Sequence, residues 1–368
     1  MRAIVGITDA QTHCRAHLSY VKRPQGDLFM AVASIVPFTI SMALVRGIAA
    51  GVRRRGHDCE ELLLRAGIAP LLLAQEGARV TADQYVALMW RVVELLGDEA
   101  MCQFSRPLKR GSLELIARQA LSGHGMETAL QRMCQAHVLL QDQVDVQLVR
   151  DGALAGIVLR PVGDEPLPNF LYEFSLRVLW RLTAWLMGGT LKVQHFDFAF
   201  GQPDYAYDYG DTFPAPLHFG LPFSAFWFDA RKLARVCSRD EQALQTFVAS
   251  WPAAAIMPPR TGEGVDARVH AHLLQSRPQW AGLQATAAEL NMSAPTLQRK
   301  LAAAGTSFQA IKDELRRDIA ISRLGTSKVS FTELAADLGF ADAAAFQRAF
   351  KGWTGSSPGL YRARPLDS

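Results

Sequence analysis

Two stretches near the end of this 368-residue chain repeat one another, and that repeat limits the possible folds more than any other feature. Ala287-Ala288-Glu289-Leu290-Asn291-Met292-Ser293 is followed by Leu297-Gln298-Arg299-Lys300-Leu301. Ala335-Ala336-Asp337-Leu338-Gly339-Phe340-Ala341 is followed by Phe346-Gln347-Arg348-Ala349-Phe350. Leu290 matches Leu338 at a shift of 48, the Gln-Arg pairs match at 49, and Gly305 and Ser307 match Gly355 and Ser357 at 50. Two copies are too few for a solenoid. Each copy has the layout of helix, short turn, helix.

Helical geometry at about 100° per residue assigns a face to each residue of the two second helices. Leu297 and Leu301 share one side, which leaves Pro295, Gln298, Arg299 and Ala302 largely on the other. In the second copy Phe346, Phe350 and Trp353 form the apolar side, and Ala344, Gln347, Arg348 and Lys351 point outward. Both outward faces therefore carry a Gln-Arg pair. Arg bonds guanine O6 and N7 in bidentate fashion, and Gln does the same for adenine N6 and N7. Ser293 and Asp342 are placed to cap these helices, whose N-termini would then face phosphates. A single such helix is more economically read as amphipathic with a solvated polar face.

The duplication and the local charge favour nucleic acid instead. From Gly264 to Ser368 there are 13 Lys and Arg against 9 Asp and Glu, whereas the other 263 residues hold 26 of each. The whole net charge of +4 therefore sits in the last 105 residues. A neutral large part joined to a basic end suggests a polyanionic partner for that end.

The remainder reads as a mixed domain. Residues 37–55, 58–66, 82–97, 111–121 and 126–140 show helical spacing of apolar residues, with Pro37 opening the first helix and Thr81 placed to cap the third. The period then changes to two around Val144, Val146 and Leu148, and Asp151-Gly152 marks a hairpin. A long apolar helix follows from about Pro168 to Met187, ended by Gly188-Gly189. Val193, Phe196 and Phe198, then Leu217–Phe219 and Ala225–Phe228, suggest further strands, separated by a loop over 201–216. Pro252, Pro258, Pro259, Gly262 and Gly264 read as an interdomain linker with few contacts crossing it. The expected organisation is a poorly ordered extension over 1–30, an α+β ligand-binding or dimerisation domain over 31–250, a linker over 251–265 and an all-α DNA-binding domain over 266–366.

Residues 266–365 resemble the DNA-binding domain of AraC/XylS-type bacterial transcription regulators. The resemblance rests on Met292-Ser293, Thr296 through Leu301 and Gly305-Thr306-Ser307-Phe308, and above all on Leu338-Gly339-Phe340, Ala345 through Lys351, Trp353-Thr354-Gly355 and Ser357-Pro358. The family usually has Ser where this chain has Ala341, so Asp342 is expected to take over the cap. Ala343 and Ala344 are small, so the second helix depends mainly on Gln347 and Arg348 for reading. Residues 37–240 are similar, more weakly, to the ligand-binding domain of one subgroup. That likeness rests on Arg65-Ala66-Gly67-Ile68, Val80-Thr81, Gly125 through Leu130, Pro203 through Tyr209 and Pro216 through Phe219. The subgroup's name suggests arabinose, but none of these residues identifies an effector.

The resemblance implies a cytoplasmic transcription regulator, activating or repressing, whose two reading helices enter successive major grooves of double-stranded DNA. Pro295, Gln298, Arg299, Ala302, Ala344, Gln347, Arg348 and Lys351 are the expected base readers. Ser293, Thr296 and Asp342 at the helix starts, with Lys300, Arg316, Arg317 and Lys328, are expected caps or phosphate contacts, which position without specifying. RNA polymerase and a second copy of this chain join DNA as candidate partners.

A small-molecule effector is expected in the aromatic-rich stretch 168–228, with Arg177, Trp180, Arg181 and His195 as candidate contacts. No catalytic motif, cofactor loop or metal signature is present. His13 and His17 lack a third ligand, and the five scattered cysteines form no CxxC pair, as fits a reducing compartment. Leu28–Val45 is uncharged for 18 residues, but Ser34, Pro37, Thr39 and Ser41 and the nearby arginines argue against a membrane span. Two alternatives stay open: the DNA-binding domain is fused to an N-terminal domain that only dimerises, or to one that is an enzyme.

Overall fold

The structure is a computed structural model and describes residues 19–22, 28–31, 38–210, 212–237, 239–253 and 264–362. Two compact units are present, 1–36 and 37–368. In the first, β1 (Ser19–Lys22) and β2 (Leu28–Ala31) pair antiparallel, inside a stretch whose sequence shows no period. His13, Cys14 and His17 lie outside the described residues.

The second unit begins with a departure from the sequence expectation. The helix expected from Pro37 starts only at Met42, because Thr39–Ser41 form a strand, β3. Its partner β4 (Arg79–Thr81) lies 40 residues further along the chain, beyond the reach of any local period. Both strands lead directly into helices. Ser41 caps α1 (Met42–Arg54) by accepting from the Ala43 N–H. Thr81 caps α3 (Ala82–Leu96) in a reciprocal box with Gln84. Between them lies α2 (Glu60–Arg65), and after them α4 (Ser112–Leu121) and α5 (Met126–Leu140).

A five-stranded sheet follows, in the order β5-β6-β9-β7-β8, from Val144–Asp151, Leu154–Pro161, Ser224–Asp229, Val193–Asp197 and Leu217–His218. The Asp-Gly signal predicts a hairpin here and the β5–β6 hairpin forms, but Asp151 pairs with Leu154, so the two loop residues are Gly152 and Ala153, one position further on. The long apolar helix α6 (Asn169–Leu186) packs on the sheet and against α1. It approaches α1 at Gly47, where a Cβ would lie 2.2 Å from the Phe170 ring, so only glycine allows this contact. The loop between β7 and β8 contains a 3-10 turn at Ala206–Gly210. Helix α7 (Glu241–Ser250) ends this half.

The C-terminal half is all-helical: α8 (Val265–Gln275), α9 (Leu283–Glu289), α10 (Ala294–Ala303), α11 (Phe308–Thr326), α12 (Phe331–Asp337) and α13 (Ala343–Thr354). The architecture is therefore α+β followed by all-α. Among the described residues no helix is long and apolar enough to cross a membrane.

The linker composition predicts few contacts between the halves. The structure shows several buried ones, from β3 and β4 to α11 and to Tyr361. They come from side chains far apart in sequence, and linker composition carries no information about them.

Candidate nucleic-acid interface and effector cavity

Each repeat forms a helix-turn-helix. The turn after α9 needs a residue in the left-handed region, and Asn291 adopts it at φ 57°. The turn after α12 uses Gly339 at φ 72° for the same purpose. Ser293 caps α10 by accepting from the Thr296 N–H at 3.3 Å, and Asp342 caps α13 by accepting from the Ala345 N–H at 2.7 Å.

Leu297 and Leu301 are fully buried under α10, and Phe346 and Phe350 under α13, while Trp353 is half-buried. Pro295, Gln298, Arg299, Ala302, Ala344, Gln347, Arg348 and Lys351 all face solvent. Helix α11 joins the two helix-turn-helix motifs. Its 19 residues span about 28 Å at 1.5 Å per residue, close to the ~34 Å that separates successive major grooves.

The proposed phosphate contacts divide in two. Lys300 and Lys328 are exposed. Arg316 lies over the rings of Trp280 and Phe340, at 5.2 and 4.8 Å, and burial holds its pKa below the usual range. Arg317 donates to Asp318 at 3.0 Å. Thr296 is half-buried, its hydroxyl 2.9 Å from that of Ser293.

In the N-terminal half, α1, α3 and α6 enclose a cavity of about 20 Å³. Tyr85, Met89, Phe170 and Phe174 line it with Glu173 and Arg177. Of the four candidate effector contacts, the structure brings only Arg177 here. Its Nη1 donates to the Thr212 carbonyl at 2.5 Å.

Trp180 donates through Nε1 to the Leu191 carbonyl at 3.4 Å, and Arg181 lies 5.8 Å from the Trp180 ring. His195 stands on β7, 3.7 Å from Asp197. With His218 these two form a cluster whose ligand atoms lie within 4.8 Å, a set that could hold a metal ion. The Asp197 oxygens are already engaged, by His218 Nδ1 at 2.9 Å and by the Trp227 N–H at 2.6 Å.

Sequence reasoning missed Glu173. It is 2% exposed, and the hydroxyls of Tyr205 and Tyr209 both donate to its Oε1. Burial raises its pKa from the ordinary carboxylate value. The available signal was a lone acid within the apolar run Phe170-Leu171-Tyr172-Glu173-Phe174. A lone acid in such a run is buried at a cost unless it is partnered.

A nucleophilic cysteine finds no support at two of the described positions. Burial pushes the Cys102 thiol up to about 11 and Cys134 to about 12, the opposite of activation.

Two helix-turn-helix units with capped, exposed reading helices, joined to an α+β half, define a DNA-binding transcription regulator with a ligand domain. Residues 56–236 match the arabinose-binding domain of AraC transcription regulators, and residues 286–364 match a helix-turn-helix domain. The chain belongs to the AraC-type family of transcription regulators.

It is 27% identical to an ornithine utilization regulator of Pseudomonas aeruginosa, over 90% of this chain and 98% of that one. It is 25% identical to the transcriptional regulator VirS of Mycobacterium tuberculosis, over 85% and 93% respectively. Among solved structures, the transcriptional regulator CdpR of Pseudomonas aeruginosa is similar at 18% identity with a TM-score of 0.30, covering 88% of this chain and 99% of that one.

Proposed function

We propose that α10 and α13 enter two successive major grooves on one face of the duplex. Arg299, Gln298, Arg348 and Gln347 read base edges there, and Pro295, Ala302, Ala344 and Lys351 complete the contact faces. One observation carries this reading: both Gln-Arg pairs are solvent-exposed on the second helix of a helix-turn-helix, opposite a buried apolar seam. Lys300 and Lys328, both exposed, suit phosphates, as do the N-termini capped by Ser293 and Asp342. Arg316 and Arg317 serve the packing of α11 instead, given their engagement with aromatic rings and with Asp318.

The N-terminal half binds a small-molecule effector in the Glu173–Arg177 cavity and adjusts DNA affinity without catalysing a reaction. The relative named for ornithine utilization supports a metabolite of amino-acid size. Such a regulator acts in the cytoplasm, with RNA polymerase and a second copy of itself as protein partners.

Selection of sites from random duplexes by the full chain, followed by hydroxyl-radical footprinting, tests the DNA reading. The expected footprint is two protected patches separated by about one helical turn, ~10 base pairs, on one face. A single patch, or no enrichment of any sequence, overturns it.

A further inference from the structure

A continuous set of buried polar contacts leads from the effector cavity to the DNA-binding half. It runs through β3, whose side chains alternate between two faces. Ile40 lines the cavity, while its neighbours Thr39 and Ser41 face away from it into a buried polar cluster.

Thr39 donates from its hydroxyl to Asp318 Oδ1 at 2.6 Å and from its N–H to Oδ2 at 3.3 Å. Asp318 sits on α11 and is 2% exposed. Arg79 of β4 donates through Nε to the Thr39 hydroxyl at 2.8 Å, through Nη2 to the Thr39 carbonyl at 2.9 Å and through Nη1 to Asp208 at 2.8 Å. The Arg79 N–H donates to the Tyr361 hydroxyl at 3.2 Å, and the Tyr361 ring packs edge-on against Phe350 of α13. Asp208 also accepts from Ser41 and is followed in the same 3-10 turn by Tyr209, which donates to Glu173 in the cavity wall.

The cavity itself indicates a ligand class. Both tyrosines use one oxygen of Glu173, and Oε2 has no hydrogen-bond partner among the described residues. A buried carboxylate with an open oxygen accepts a donor, and a cationic donor also offsets its burial. The rings of Tyr85, Phe170 and Phe174 beside it suit a cation, and Arg177 on the same wall turns a guanidinium N–H to the Thr212 carbonyl. At about 20 Å³ the cavity has room for about one water as it stands. Phe174 and Val178 also line a second cavity of about 40 Å³, so rotation of these two side chains would join the spaces around an alkyl chain.

We propose that this cavity receives a primary ammonium group on a short apolar chain, held by Glu173, and that its occupancy is passed through Tyr209, Asp208, Arg79 and Thr39 to Asp318 and the second helix-turn-helix. The proposal rests on the effector reading above. A ligand moves DNA affinity only by its different affinity for two states of the protein, and the effect is reciprocal.

The test uses the full chain and the selected operator. Isothermal titration with 1,4-diaminobutane, L-ornithine, butanoate and L-arabinose is expected to show binding by the two amines alone. Glu173→Gln is expected to weaken amine binding on the order of tenfold or more, the loss of a charge-assisted bond. Binding of butanoate or L-arabinose in place of the amines, binding of none of the four, or unchanged amine binding by Glu173→Gln overturns the ligand class. The effector reading itself survives if one of the other two probes binds and shifts DNA affinity.

The relay is tested separately by fluorescence anisotropy on operator DNA. Saturating amine is expected to change wild-type affinity by about 5–150-fold, with the same factor for operator on amine affinity. Asp318→Asn and Thr39→Val, each checked by circular dichroism for a native fold, are expected to bind amine as wild type does while the factor falls toward one. An unchanged factor in whichever variant folds overturns the relay, and so does the absence of any factor in the wild type.

Discussion

The two helix-turn-helix units share a plan and differ in what holds them. The first turns at Asn291 and packs through Leu297 and Leu301. The second turns at Gly339, packs through Phe346 and Phe350, and is met by the ligand half at both its end and its floor. Arg79 reaches it through Tyr361, and at Gly77 an added Cβ would lie 3.2 Å from the backbone of Thr354 at the end of α13. Duplicated sequence thus produces two helix-turn-helix units with different neighbours. The difference teaches that tertiary packing, rather than the motif, decides which neighbours each unit has.

The largest expected effect comes from Arg79→Ala, which would leave the buried Thr39 and the half-buried Asp208 without their cation. Removing one member of a buried pair costs about 3–5 kcal/mol, here read by urea unfolding. Hydrogen exchange on the same variant should show α13 losing protection more than α10. Equal loss in both helices would erase the proposed difference between the units.

Acid offers a second way in. Burial lowers the His137 pKa from 6.5 to about 4, so the folded chain keeps the ring neutral while the unfolded chain protonates it. This contribution is complete above about pH 6.5 and is lost as the pH falls toward 4, amounting to about 3 kcal/mol at the acid end. Urea unfolding of wild type and His137→Gln at pH 7.5 and 4.5 checks it, with a smaller pH difference expected in the variant. His137 lies on α5 of the ligand half, so mild acid should expose α13 to exchange ahead of α10.

Arg299→Ala and Arg348→Ala should each cost about 1–3 kcal/mol at the selected operator and much less on random duplex. Their responses should differ: the Arg348→Ala penalty should change when effector is present, and the Arg299→Ala penalty should stay constant. Anisotropy titrations with and without effector distinguish them, and identical shifts would mean that the units are controlled together.

The smallest effects concern the turns. Gly339→Ala would force a side chain into the left-handed region, costing about 1–2 kcal/mol, with its Cβ 2.8 Å from Trp280 Cδ1. Asn291→Gly should stay within about 0.5 kcal/mol, because Asn already tolerates that conformation. Thermal melts of both variants are the check.

The repeat, the two apolar seams, the caps at Ser293 and Asp342 and the Asp-Gly hairpin were legible because each follows from residues within about one turn of one another. Helical period and turn chemistry are local properties of a chain. The exposed polar faces followed from the same geometry. The effector cavity was legible only in part. Arg177 stood out as a cation in an apolar stretch, but Arg181 and His195, chosen as polar groups there, and Trp180, chosen as an aromatic, turn to the Trp180 ring, Asp197 and the Leu191 carbonyl respectively.

Beyond local reach, tertiary structure decided the rest. Thr39 meets Asp318 across 279 residues and Arg79 meets Tyr361 across 282. Nothing in Thr39 or Asp318 alone distinguishes them from residues on a wet surface. Burial makes the difference: away from water a carboxylate must find donors, and the donors available are those that the packing of β3, β4 and α11 brings within 3.3 Å. The sequence by itself determined that this chain presents two amphipathic helices, each with an exposed Gln-Arg pair. The packing decided how the ligand half meets the second of them, through Tyr361 and Thr354.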